Sequence, residues 1–458
     1  MPRPPSPSAA RPSGERPCAV IIGAGFGGLA AAMRLGACGW DVTIIDRLDV
    51  PGGRATSTMS DGHRFDLGPT ILTDPDILRR LFLDCGFNSS DIPPMQSIDP
   101  IWTVVDERGR MLRLHQHDTV ADVAAQVPGE LRQWREIWAP RRAGSNLTGF
   151  LRDHLPAPRL MSWIERHLRD PRLQAALAMP AVLLGHDPRT AQIAHGLPEV
   201  MRSGMVANGH GLAAIARAMA DAVAAQGGTI RLGEEVTKVS PHRACVTLKG
   251  GRDIEADAVI LTAPIGRAVR KQRRSGHIGL FAWHFGTSGT TDLWPEVGLH
   301  TVLAPDDLRA SFAALDANRI PEAPLVHLHR ATVTDPSAAP EGGDTFCAVT
   351  PVPHLGHRHP LKWSDEAGRV RDRIRTRLET VMPGFADRVT TQMTMSPDEM
   401  RDRYLSPYGL AAPSLQPRVI EGPILRLVPG AAGGVAGALA GAEALVRWMP
   451  HPRMLATG

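Results

Sequence analysis

An α/β fold carrying an inserted α+β region is predicted by three features of this 458-residue chain. Short apolar strands alternate with helical stretches, a glycine-rich turn joins the first strand to the first helix, and a long helical block interrupts the alternation. The first element, Ala19 to Ile22, is a short apolar strand. Gly23, Gly25 and Gly28 then spell G-x-G-x-x-G, and Leu29 to Leu35 continue as a helix. The first glycine makes the tight turn, and the second lets a pyrophosphate approach the backbone. The third allows helix to pack closely on strand, while the helix N-terminus faces the anion. A second strand, Val42 to Ile45, ends at Asp46, eighteen residues after Gly28. A carboxylate there accepts hydrogen bonds from a ribose diol. Strand, glycines, helix, strand and acid in this order predict a Rossmann-like dinucleotide-binding domain.

Gly52-Gly53-Arg54 narrows the dinucleotide. A glycine pair and an arginine just past the ribose acid suit a loop folding back over the pyrophosphate. That arrangement resembles the two-dinucleotide-binding-domain flavoproteins, which implies FAD. Further on, Asp61 to Thr73 reads as a turn, a short strand and an ordered loop, and Pro75 opens a helix over Asp76 to Cys85. Ile101 to Leu114 alternates as a hairpin around Glu107-Arg108-Gly109. Thr119 to Leu184 is helical in pattern, with Trp134, Trp138, Phe150 and Trp163, and reads as an inserted substrate or cap region. Gly211 to Ala225 is an amphipathic helix, followed by strands Thr229 to Leu232 and Glu235 to Val239. Val236 stands where a flavin domain presents backbone to adenine, or packs as an ordinary core valine. Val246 to Lys249 and Ala258 to Thr262 read as a hairpin and a returning strand. Leu280 to Phe285 and Leu325 to His329 suggest a second sheet, Arg369 to Val381 a helix, and Ile424 to Val428 a last strand before a Gly/Ala-rich helix ending near Trp448.

Composition sets bounds. A 43% hydrophobic and 21% charged chain is a folded globular protein. The net charge of +4 is too small to argue for nucleic acid. Arg267, Arg270, Lys271, Arg273 and Arg274 form one dense cluster, read either as a solvated loop or as a patch for anionic headgroups. Five scattered cysteines (18, 38, 85, 245 and 347) form no C-x-x-C pair, which fits a reducing cytoplasm rather than a disulfide or zinc framework. Residues 1–17 read as a disordered tail without the apolar core of a secretory signal. Ala19 to Trp40 is interrupted by glycines and Arg34, and Gly430 to Val446 by Glu443, so neither reads as a membrane span. His327 and His329 share one strand face, a spacing open to metal ligation, but no third ligand is apparent and no metal is expected.

Several ordered segments resemble the bacterial carotenoid (phytoene) desaturases. They are RFDLGPTILTDPDILRRLF from Arg64, FAWHFGT (Phe281 to Thr287) with Trp294-Pro295, and the run from Leu328 to Gly356 containing Asp335-Pro336-Ser337 and Pro351 to Gly356. DRYLSPYG (Asp402 to Gly409) with Ser414-Leu415 completes the set. The resemblance implies FAD-dependent removal of hydrogen from phytoene toward neurosporene or lycopene, at a membrane surface on the cytoplasmic side, with oxygen or a quinone reoxidising the flavin. It implies cofactor contacts from Gly23, Gly25, Gly28, Asp46, Gly53 and Arg54, with Gly68, Pro69 and Thr70 beside the flavin ring and Val236 near the adenine. No catalytic acid or base is assignable; His284 replaces an aromatic residue expected in the family's strand.

The division expected is a flavin domain of residues 18–85, 205–265 and 395–458, and a substrate- and membrane-binding domain of residues 86–204 and 266–394. The C-terminus departs from the family pattern. Pro429 to Gly437 keeps Pro-Gly and Gly-Val-x-Gly echoes but lacks the family's histidine, and Ala436 stands where proline is expected. The stretch between Ser414 and Ile424 is short. Alternatives therefore remain: a desaturase of another polyisoprenoid (a hydroxylated carotenoid or a C30 chain), or an impaired isoprenoid-binding relic.

Overall fold

The computed structural model describes residues 16–116, 118–138, 159–192, 205–240, 243–265, 277–410, 424–426, 434–447 and 449. The basic cluster 267–274, Phe150, most of the N-terminal tail and the divergent residues 427–433 lie outside them. Apolar runs with no polar face need cover on both sides, and the first sheet supplies it. Its five strands are all parallel, in the order Thr229–Arg231, Asp41–Ile45, Cys18–Ile22, Ala258–Leu261, Ile424–Arg426. On one face pack the helices Phe26–Ala37, Pro75–Asp84, Gly211–Ala225 and Gly434–Val446, through Leu29, Met33, Leu78, Ile215, Met219 and Leu439. On the other, Val20, Ile22, Ile45 and Val259 meet Val236, Val246 and Leu248 of a small antiparallel sheet.

The expected hairpin lies in that small sheet, and the expected returning strand lies in the parallel one. Cys245–Leu248 pairs with Val236–Ser240 on one side and Asp253–Glu255 on the other, whereas Ala258–Leu261 leaves it to run beside the first strand. The reason is burial: all four residues of Ala258–Leu261 are buried, so both faces need a covering layer that a hairpin lacks. The helix expected from Arg369 starts earlier, at Trp363, with Asp365 and Glu366 in its first turn, where carboxylates favour the helix dipole.

A second, seven-stranded sheet is antiparallel but for one pair. Its order is Val389–Met395, Gly279–Thr287, Asp344–Val352, Val326–Arg330, His300–Leu303, Trp102–Val105, Met111–Leu114. Alternation sorts its faces. Phe281, Trp283, Phe285 and Phe346 pack under Trp363, Val370 and Ile374 of the helix Trp363–Glu379. On the opposite face, Trp102, Val104 and Val302 meet Leu173 and Leu177 of the helix Pro171–Leu183. The strand His63–Asp66, paired with Ser57–Ser60, also lies against this opposite face: the Phe65 ring is 5.8 Å from that of His284.

Candidate flavin site

The glycine turn is built for close approach. Gly23 has φ 110°, and a Cβ there would lie 2.6 Å from Thr262 Oγ1. A Cβ on Gly28 would lie 1.9 Å from the Gly23 carbonyl oxygen, so helix and turn touch backbone to backbone. At Gly25 nothing comes closer than 3.9 Å, which leaves that backbone open to a ligand. No side chain caps the helix N-terminus at Gly25, so its first amides are directed out of the turn. Asp46 is 9% exposed. Its Oδ2 accepts from the Ala24 amide at 2.6 Å and its Oδ1 from the Leu48 amide at 2.9 Å.

Gly52 and Gly53 fold back onto this turn. The Gly52 amide donates to the Ala24 carbonyl at 2.8 Å, and the left-handed Gly53 (φ 61°) rests against Gly25. Gly68 packs on the Arg54 carbonyl, 1.9 Å from where its Cβ would be. The structure thus brings Gly23, Gly25, Gly28, Asp46, Gly53, Arg54 and Gly68 to one place, at the C-terminal ends of the parallel strands, where such folds bind ligands. Pro69 is exposed and Thr70 half-buried as the chain leads away toward Leu72–Thr73. The Val236 side chain is buried in the core beneath the sheet. Its neighbour Glu234 reaches the acid's strand, donating its amide to the Asp46 carbonyl at 2.9 Å.

Arg54 tests whether an anionic cofactor fits. Its surface is only partly covered, yet surrounding protein desolvates the guanidinium enough to push its pKa down to about 10. Nη2 donates to Ser406 Oγ at 2.9 Å, and the guanidinium lies 5.9 Å from the centroid of the Tyr404 ring. Among the described residues no carboxylate pairs with it. A desolvated cation without a counter-charge is costly, so a phosphate-bearing ligand fits this position. Tyr404 and Ser406 carried no assigned role in the sequence. The only signal was their place in DRYLSPYG.

A second polar network borders the site. Arg64 pairs with Asp335 and donates to the Gly209 carbonyl at 2.8 Å, and His210 Nδ1 lies 3.1 Å from Asp335. Burial raises the pKa of Asp66, outweighing nearby Arg64. Burial works against the Asp335 carboxylate too, but hydrogen bonds from Ser337 and Arg64 prevail and hold it below its usual range.

The seven-stranded sheet presents a rung of soft polar side chains on the face toward Phe65. Strand register places Met393, His284, Cys347, His329 and His300 side by side. His300, unforeseen, joins the His327/His329 pair: its Nδ1 is 3.0 Å from His327 Nε2, and its ring stacks on His329 at 5.1 Å. Burial pushes His284 down to about 4 and His327 and His329 to about 3, with His300 also well below the usual value. These rings are neutral. Among the described residues no group of three or more side chains is arranged to hold a metal ion.

Comparison with known proteins places this geometry. Residues 26–284 match the family of flavin containing amine oxidoreductases. A neurosporene-forming phytoene desaturase of Cereibacter sphaeroides is 35% identical, spanning 90% of this chain and 87% of its own length. The chain belongs to the bacterial phytoene desaturase family. A lycopene-forming member from Pseudescherichia vulneris is 30% identical over 88% of this chain and 89% of its own. An oxidoreductase from Methanosarcina mazei has the same fold, with TM-score 0.66 at 18% identity over 94% of this chain and 100% of its own. This family member is thus an FAD-dependent oxidoreductase of the carotenoid desaturase type. No described helix is long and apolar enough to cross a membrane.

Proposed function

We propose that this desaturase introduces double bonds into phytoene, toward neurosporene or lycopene, at a membrane surface on the cytoplasmic side. The observation that carries this reading is the similarity to named phytoene desaturases across nearly the whole chain, coinciding with a desolvated, uncompensated Arg54 at the glycine turn. In this reading Gly23, Gly25, Gly28, Gly53 and Arg54 hold the FAD diphosphate, Asp46 the ribose, Gly68, Pro69 and Thr70 border the ring, and Val236 lies under the adenine end. Residues 18–85, 205–265 and 395–458 form the flavin domain, with residues 86–204 and 266–394 as the substrate- and membrane-binding domain. When bound, FAD supplies the hydride acceptor for a saturated carbon pair. The protein's task is to hold a long apolar chain in register and keep water away. Oxygen or a quinone serves as the terminal acceptor.

Expression in cells that accumulate phytoene tests this. New polyene absorption bands, together with flavin absorbance of the purified protein, are expected. Bound FAD without polyene bands sinks the phytoene reading, and a parallel C30 substrate identifies a different polyisoprenoid. Dependence on added quinone under anaerobic conditions decides the acceptor.

A further inference from the structure

The segment Tyr404–Leu410, part of the DRYLSPYG run, holds more backbone strain than its surroundings. Leu405 (φ 50°) and Tyr408 (φ 56°) are left-handed without being glycine. Such conformations are strained and persist where neighbouring structure enforces them. The enforcement is visible. Ser406 is fully buried and its hydroxyl donates to the Leu410 carbonyl. The Leu355 amide donates to the Tyr408 carbonyl at 2.9 Å, and Leu410 bridges to Gly279 of the long sheet strand. The helix Pro397–Tyr404 before the loop is capped by Arg47, the residue after Asp46, whose guanidinium donates to the Asp402 and Arg403 carbonyls.

This loop aims two groups at one place. Ser406 Oγ accepts from Arg54 Nη2, fixing the guanidinium from the side of the loop, and the Tyr404 ring lies beside the same guanidinium. The Tyr404 hydroxyl is a buried donor with no partner among the described residues. A buried donor without an acceptor is destabilising, so it calls for a ligand atom.

We propose that Tyr404 and Ser406 complete the anion site around Arg54: the Tyr404 hydroxyl donates to the bound diphosphate, and Ser406 is the positioning residue for the guanidinium. The inference rests on the reading of Arg54 as a contact to FAD. The strained loop holds both groups in place before the cofactor arrives, so little ordering is left to oppose binding.

The test is an FAD titration of the full-length apoprotein, following quenching of flavin fluorescence, with the melting temperature of the apoprotein recorded alongside. Tyr404→Phe is the decisive variant, because its hydroxyl has no bond to a described residue to lose. It is expected to leave the apoprotein melting temperature unchanged and to raise the Kd for FAD about tenfold. Ser406→Ala is expected to weaken FAD binding in the wild-type background and to add nothing in an Arg54→Ala background, since it acts through that arginine. A Tyr404→Phe protein that binds FAD like wild type, or Ser406→Ala and Arg54→Ala effects that simply add, overturns the proposal. Wild-type protein that binds no FAD overturns the cofactor reading, and the proposal with it.

Discussion

Gly28 shows how little freedom a single position has at this site. Its missing Cβ makes room for the Gly23 carbonyl, which would otherwise sit 1.9 Å away. The clash is with backbone, so no rotamer relieves it. Gly28→Ala is expected to lower FAD affinity at least a hundredfold and to lower the melting temperature of the apoprotein; an unchanged FAD titration contradicts the packing. Arg330 and Asp344 make a comparable case away from the cofactor. Both are buried and paired at 2.8 Å, with Thr290 and Thr332 donating to the same carboxylate. Removing one partner leaves a buried charge uncompensated, which costs about 3–5 kcal/mol. Asp344→Ala should lose that much in urea unfolding, and a loss below about 1 kcal/mol would show that the pair is not the anchor of its sheet.

At the scale of one element, the rung of imidazoles makes stability depend on pH. His284, His300, His327 and His329 all have folded-state pKa values held below the ordinary 6.5 by burial, among Phe65, Trp102, Met393 and Cys347 and close to Arg64 and Asp66. The unfolded chain then binds more protons than the folded one once pH falls below about 6.5. The stability these neutral rings contribute is present above 6.5 and is lost as pH falls through about 4 to about 3. Chemical denaturation between pH 7 and pH 5 should show stability falling as pH falls, with these four rings supplying about four protons of the slope. His327→Leu should reduce that slope by about one proton. A flat profile in that window is the contrary result. Of the strands carrying this rung, Leu280 to Phe285 and Leu325 to His329 were legible as apolar runs, and alternation placed His327 and His329 on one face. His300 was not legible as their neighbour, because it joins them only through register between separate strands.

For the whole molecule, the proposed cofactor site draws on segments far apart in the chain: the turn at Gly23–Gly28, the Gly53–Arg54 return and the Tyr404–Leu410 loop. Binding to the folded state alone stabilises it by mass action, so FAD at a hundred times its Kd should add about 2.7 kcal/mol to the unfolding free energy. Calorimetry with and without FAD measures this, and an unshifted transition means the segments do not form one site. The sequence by itself determined the strand–turn–helix, the acid Asp46 at the end of the second strand, the glycine–arginine return and the family. These rest on local spacing, where steric needs of a few consecutive residues select the residue types. Only the tertiary structure decided that Ala258–Leu261 belongs to the parallel sheet, that His300 joins the buried imidazoles, and that Arg54 meets Ser406, 352 residues away. Those facts depend on which faces must be covered and which chain ends meet. They are set by burial across the whole molecule, and no short stretch of sequence encodes them.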